Sequence, residues 1–176
     1  TQGSLYLKDG RTTVNAGIGY RKLQFDKTLL LGVNAFYDHE FPHDHGRGSL
    51  GFEARSTVGE LNINLYNSLS GWQNVGGGLE EKSVGGADVE LGVPVPYMNW
   101  LQVYLRAFKW NSEIDGVTVS KGRDLSLKAD LPGGYFSGTS VEMGYRDYAS
   151  QPNEKFITIS YNFLADKPTK TERNTK

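Results

Sequence analysis

The chain has 176 residues and a formal net charge of −1, with 19 Lys and Arg against 20 Asp and Glu. That length suits one domain, and near-neutrality excludes a whole-chain field that would gather nucleic acid or anionic lipid. Cys is absent, which excludes disulfide frameworks and thiolate metal sites.

Gly is abundant at 22 residues, aromatics make up 12%, and Pro contributes only 6. No apolar run approaches the roughly 20 residues that a membrane-spanning helix needs. No secretory leader is legible, and Thr1-Gln2-Gly3 reads as a processed start or a boundary. The mean hydropathy is −0.48, yet a membrane β-barrel alternates along its strands and shows no long apolar run either.

In chain order, 4–8 (SLYLK) reads as a short strand ended by the Asp9-Gly10 turn signal. Residues 11–21 then alternate, with Val14, Ala16, Ile18 and Tyr20 on one face and Thr13, Asn15, Gly17, Gly19 and Arg21 on the other. A period of two marks a strand with two unlike faces. A short turn near Phe25-Asp26-Lys27 leads to two further strands, which lie within 29–55 and flank the polar stretch DHEFPHDH. Their apolar faces carry Leu31, Val33, Ala35 and Tyr37, then Leu50, Phe52 and Ala54. Their opposite faces include Glu53 and Arg55.

Beyond a turn at 57–59, Leu61, Ile63 and Leu65 oppose Asn62, Asn64, Tyr66 and Ser68. A Gly-rich loop follows through 76–78. Ala87, Val89, Leu91 and Val93 then oppose Asp88 and Glu90, in a strand expected to end at Pro94 and Pro96. Leu101, Val103, Leu105 and Ala107 oppose Gln102, Tyr104, Arg106 and Phe108. Past a loop containing Asp115-Gly116, Leu125, Leu127, Ala129 and Leu131 oppose Asp124, Ser126, Lys128 and Asp130. Pro132-Gly133-Gly134 turns the chain into a strand with Val141, Met143 and Tyr145 opposite Glu142 and Arg146. The last strand places Ile157, Ile159, Tyr161 and Phe163 opposite Thr158, Ser160 and Asn162.

The count is about ten strands and no helix, most of a length that a tilted strand needs to cross a bilayer. Connections near 23–27, 57–60, 94–99 and 132–137 are short, whereas those near 39–46, 72–86, 111–122 and 149–155 are longer and more polar. Their alternation puts the long loops at one rim of an up-and-down barrel, the Asp9-Gly10 turn excepted. Outer-membrane barrels have this asymmetry, with the long loops outside. The predicted domain is therefore an all-β transmembrane antiparallel barrel over 1–164, followed by a polar linker or tail over 165–176.

The apolar faces are almost free of charge, Lys109 being the main exception. The opposite faces carry Arg21, Glu53, Arg55, Asp88, Glu90, Arg106, Asp124, Lys128, Asp130, Glu142 and Arg146, and these are predicted to face a wet lumen. Val14, Ile18, Tyr20, Leu61, Ile63, Leu65, Leu101, Val103, Leu105, Ile157, Ile159, Tyr161 and Phe163 are predicted to face lipid. Tyr20, Tyr37, Trp72, Trp100, Trp110, Tyr145, Tyr161 and Phe163 lie near strand ends, where aromatic girdles form. A soluble lipocalin-like barrel with these aromatics in its core is the competing architecture.

The stretches TQGSLYLKDGRTTVNAGIGYR, LLLGVNAFYDHEF, HGRGSLGFEA and LYNSLSGW resemble the β-domain of inverse autotransporters, the intimin/invasin type of adhesin. The resemblance is strongest over 1–72 and looser through GADVELGVPVP. It implies a twelve-stranded outer-membrane barrel that exports and anchors a C-terminal passenger, with a linker running back through the pore. It also implies contact with outer-membrane lipid, periplasmic chaperones and the barrel-assembly machinery, which would read a closing strand such as KFITISYNF. Ten strands against twelve lead to the expectation of a truncated N-terminus or a smaller barrel. Extended, residues 165–176 would reach about 40 Å, enough to enter a pore. A stand-alone small outer-membrane pore or structural barrel is the alternative.

His39, His43 and His45, with Asp38, Glu40 and Asp44, have the ligand types of a zinc site. Their expected place in an exposed loop favours an ordinary polar loop, so no metal or cofactor is predicted. No nucleophile-elbow motif accompanies the serines, and no catalytic residues are assigned.

Overall fold

Each strand of such a chain has backbone donors and acceptors that its own residues leave unpaired and that a neighbouring strand can satisfy. The computed structural model describes residues 2–8, 10–111, 118–131 and 138–161. It contains β1 (Gln2–Lys8), β2 (Arg11–Gln24), β3 (Leu29–Phe41), β4 (His45–Ser56), β5 (Glu60–Ser68), β6 (Gln73–Gly76) and β7 (Leu79–Glu81). These are followed by β8 (Gly85–Val95), β9 (Met98–Asn111), β10 (Thr118–Asp130), β11 (Thr139–Tyr148) and β12 (Glu154–Tyr161).

Ten of them form one antiparallel sheet in the order β1-β2-β3-β4-β5-β8-β9-β10-β11-β12, and β6 and β7 form a separate hairpin. This is the all-β, up-and-down architecture that the alternation predicts. β1 and β12 are the edges of the sheet. Registers are long and regular, as between β2 and β3 from Thr12↔Phe41 to Gln24↔Leu29. Phe163 and the tail over 165–176 lie outside the described residues, as do Asp115-Gly116 and Pro132-Gly133-Gly134.

Three expectations are corrected. The polar stretch at 39–46 is largely strand, because β3 runs to Phe41 and β4 starts at His45, with Glu40 opposite His45. Polar residues continue the ladder there without any apolar alternation to announce it. The Gly-rich loop at 72–86 holds the β6–β7 hairpin, whose turn uses left-handed Gly76, Gly77 and Gly78. Pro94 does not end its strand but sits in β8 opposite Gln102, and the register shifts just after it.

The burial pattern is inverted relative to a soluble protein. Among the described residues, the buried polar side chains are His45, Glu53, Asp88, Asp124 and Ser126, whereas the buried hydrophobic ones are only Tyr104 and Phe108. Ile157 and Ile159 are each 72% exposed, and Leu5, Ile18, Leu50 and Leu65 are also exposed. Water would penalise such a surface.

Candidate functional site: the polar face of the sheet

Register alone places the charges on one face. Asp88, Arg106, Asp124, Arg146 and Glu154 come from five consecutive strands, β8 to β12. Arg106 Nη2 donates to Asp88 Oδ2 at 3.1 Å, and its Nη1 lies 3.6 Å from Asp124 Oδ2. Arg146 grips Asp124 through Nε and Nη2 at 2.8 and 3.0 Å, and Glu154 follows at 3.9 Å. Asn64 of β5 extends the ladder, donating to Asp88 Oδ1 at 3.0 Å. Signs alternate across the strands, so each buried carboxylate has a cation beside it, as burial of charge requires.

The other predicted polar-face residues are distributed as follows. Arg21 of β2 pairs with Glu53 of β4 across the intervening β3, and Arg55 pairs with Glu60. Glu60 also accepts from the Tyr104 hydroxyl. Glu90 accepts from Asn62 Nδ2 at 3.3 Å, and Glu142 accepts from Ser126 Oγ at 2.6 Å. Lys128 lies 5.9 Å from the Tyr104 ring centroid. Asp130 is exposed at the end of β10 and makes no ion pair among the described residues. Glu90, Tyr104, Arg106, Asp124, Glu142 and Arg146 line a cavity of about 360 Å³ on this face.

Rings and glycines complete the surface. Tyr104 lies over Gly92, its register partner, where a Cβ would come within 2.5 Å of the ring. Phe36 lies over Gly17, Phe108 over Gly122, and Phe156 over Gly144, each pair again directly opposite in register. Glu53 uses Gly32 in the same way to reach Arg21. Strand glycines mark such close approaches. Arg146 sits 5.3 Å from the Phe156 centroid and 5.8 Å from that of Phe108, a cation–π environment.

Trp110 corrects the girdle expectation. It lies over Gly86 on the polar face, with its ring centroid 5.0 Å from that of Tyr66 and Arg47 close to both. On the opposite face, Val14, Ile18, Tyr20, Leu65, Leu105, Ile157, Ile159 and Tyr161 are exposed and Ile63 is 37% exposed, while Leu61, Leu101 and Val103 are half-buried.

One rim carries a second polar network. Arg11 bonds Glu40 at 3.2 Å and Glu81 of the β6–β7 hairpin at 2.8 Å. His45 Nε2 lies 3.8 Å from Glu81, and Ser83 Oγ donates to the Gly46 carbonyl at 2.7 Å. The Arg11 guanidinium, through its hydrogen bond, holds the Glu81 carboxyl below the usual carboxylate range. His39 and His45 diverge: His39 meets Asp44 at 3.2 Å, whereas His45 is buried beside Glu81. Among the described residues, no three His, Cys, Asp or Glu side chains are arranged to hold a metal ion. The ladder and the glycine slots depend on pairing between strands, so sequence reasoning listed the charges without their partners. The available signal was a Gly and a ring at matching parity on neighbouring strands.

Comparison with known proteins extends this geometry. Residues 1–168 match the family described as "Inverse autotransporter, beta-domain". The chain is 34% identical over 74 residues to "Inverse autotransporter adhesin YeeJ" of Escherichia coli K12, a stretch covering 42% of this chain and 3% of that protein. It is 28% identical over 108 residues to "Invasin" of Yersinia enterocolitica, covering 60% of this chain and 13% of that protein. The chain therefore spans a small part of the length of either relative. A solved chain from "Unveiling the Mechanism Behind the in-meso Crystallization of Membrane Proteins" shares the fold. It matches with a TM-score of 0.70 at 21% identity, over 87% of this chain and 65% of that one.

Proposed function

The chain belongs to the inverse autotransporter β-domain family, and from that premise we propose that it is the barrel that exports a C-terminal adhesin passenger and anchors it at the cell surface. The chain is a bacterial outer-membrane protein, and the family it belongs to is one of adhesins. In this reading the exposed apolar face meets lipid, and the charged face lines the lumen. The observation that carries it is the inverted burial, with Asp88 and Asp124 enclosed by arginines and Ile157 and Ile159 laid bare.

The role follows from the chemistry of the two faces. In hydrocarbon every backbone group needs a partner, so the β1 and β12 edges are paired in the membrane-inserted state. A lumen of fixed, mutually neutralised charges offers an extended polypeptide hydrogen-bonding groups without a strong net field to trap it. The long-loop rim faces outward, the tail over 165–176 starts the linker to the passenger, and periplasmic chaperones and the barrel-assembly machinery deliver the chain.

Surface display of an epitope fused after Lys176 tests this. Expressed with a secretory leader in a Gram-negative cell, the fusion is expected to bind antibody on intact cells. A barrel found inserted in the outer membrane with its epitope reachable only after lysis overturns the export role.

A further inference from the structure

The membrane-facing side of the sheet is not uniformly apolar. Lys109 of β9 and Lys121 of β10 lie directly opposite one another on it. Arg123 follows two residues along β10, and Lys155 of β12 stands opposite Tyr145 of β11 on the same face. All four are exposed, and none makes an ion pair among the described residues. Arg123 faces Asp147 in register, the one anion of this patch among the described residues, and makes no ion pair with it. Facing cations on neighbouring strands repel unless an anion lies between them. Elsewhere on this side, among the described residues of β1 to β5 and β8, the only Lys or Arg is Lys22, at the opposite rim.

Beneath these cations runs an apolar groove of about 590 Å³, lined by Val103, Leu125, Leu127, Met143, Tyr145 and Ile157, and Lys155 itself stands on its wall. A cationic cap continuous with an apolar trough matches one kind of molecule, an anionic headgroup carrying a hydrocarbon chain. Arg offers a planar fork to phosphate and Lys a point charge.

We propose that the β9–β12 wall binds a phosphate-bearing membrane lipid, with its headgroup on Lys109, Lys121, Arg123 and Lys155 and an acyl chain in the groove below. This rests on the outer-membrane barrel reading given above. The site is one-sided, so it orients the barrel toward a particular lipid neighbour rather than dressing the whole rim.

Native mass spectrometry of the 176-residue chain folded in detergent tests it, with diphosphoryl lipid A, phosphatidylcholine and inorganic pyrophosphate as separate probes. Heat-modifiable gel mobility first shows that each variant is folded. The diphosphoryl lipid is expected to be retained over phosphatidylcholine, with affinity falling about fivefold per cation neutralised. Lys109→Gln with Lys121→Gln is then expected to lose about 25-fold, and Lys22→Gln to change nothing. Equal retention of both lipids, or retention indifferent to these substitutions, overturns the site. Pyrophosphate binding as tight as the lipid assigns the cations to a free anion and also overturns it. A chain that folds in no detergent or vesicle instead overturns the membrane reading itself, and the lipid site with it.

Discussion

Asp124→Asn is the sharpest probe of the polar face. The substitution keeps shape and removes one charge from the centre of the ladder. Asp124 is 5% exposed, and the side chains of its partners Arg146 and Arg106 are 28% and 27% exposed. Removing one member of a buried pair costs about 3–5 kcal/mol, because the surviving charge stays buried without compensation. Arg106 keeps Asp88 at 3.1 Å, whereas the one carboxylate left to Arg146 among the described residues is Glu154 at 3.9 Å, beside the Phe108 and Phe156 rings. The partly open arginines bring the expected loss to the lower end, about 3 kcal/mol. Guanidinium unfolding of the detergent-folded chain, followed by tryptophan emission, measures it. Adding Arg146→Gln completes a double-mutant cycle, expected to show coupling of about 2 kcal/mol. A loss under about 1 kcal/mol with additive singles is what a screened surface pair gives. That result would refute the claim that this face is enclosed.

Other outcomes follow from the same geometry. Leu105→Arg, at the middle of β9, is expected to destabilise the bilayer-inserted chain by about 2–4 kcal/mol, and Thr158→Arg on the polar face by far less. Equal effects in lipid vesicles would mean that the faces are assigned wrongly. Gly144→Val drives a side chain into the Phe156 ring and is expected to cost about 1–3 kcal/mol, read from the same unfolding midpoint. Phe156→Ala in that background should recover part of the loss. Glu81 has its carboxyl pKa lowered in the fold, so its bond to Arg11 contributes above the usual carboxylate value of about 4.3 and is lost as pH falls through the lower folded value. Hydrogen exchange in β6 and β7 should therefore distinguish Glu81→Gln from the parent at pH 7, and the difference should shrink as pH falls below the usual carboxylate range. A difference indifferent to acidification would remove Glu81 as the hairpin's clasp.

The strands were legible because burial of one face imposes a period of two, and that period is local. The charges of the ladder were legible as a set for the same reason. Their pairings were not, since Arg21 finds Glu53 only by crossing Gly32 of another strand. Rim strand near His39 and His45 escaped notice because polar residues there extend the backbone ladder without alternating. The β6 and β7 segments are too short to display any period. Trp110 was misplaced by its closeness to a strand end, although its even number already set it beside Arg106 and Phe108.

The glycine slots bear on a problem that alternation cannot solve. A strand that slips by one residue exposes every charge to lipid and is rejected at once. A slip by two keeps both faces intact, and the apolar pattern does not notice it. After such a slip Phe156 would face Glu142 or Arg146 instead of Gly144, and Phe36 would face Asn15 or Gly19 instead of Gly17, so both slots lose their rings and the Phe156 ring meets a side chain. Every ring and its glycine are register partners on strands adjacent in sequence. The β2–β3, β8–β9, β9–β10 and β11–β12 pairs therefore each carry their own key, so register in these four pairs can be checked as the second strand arrives.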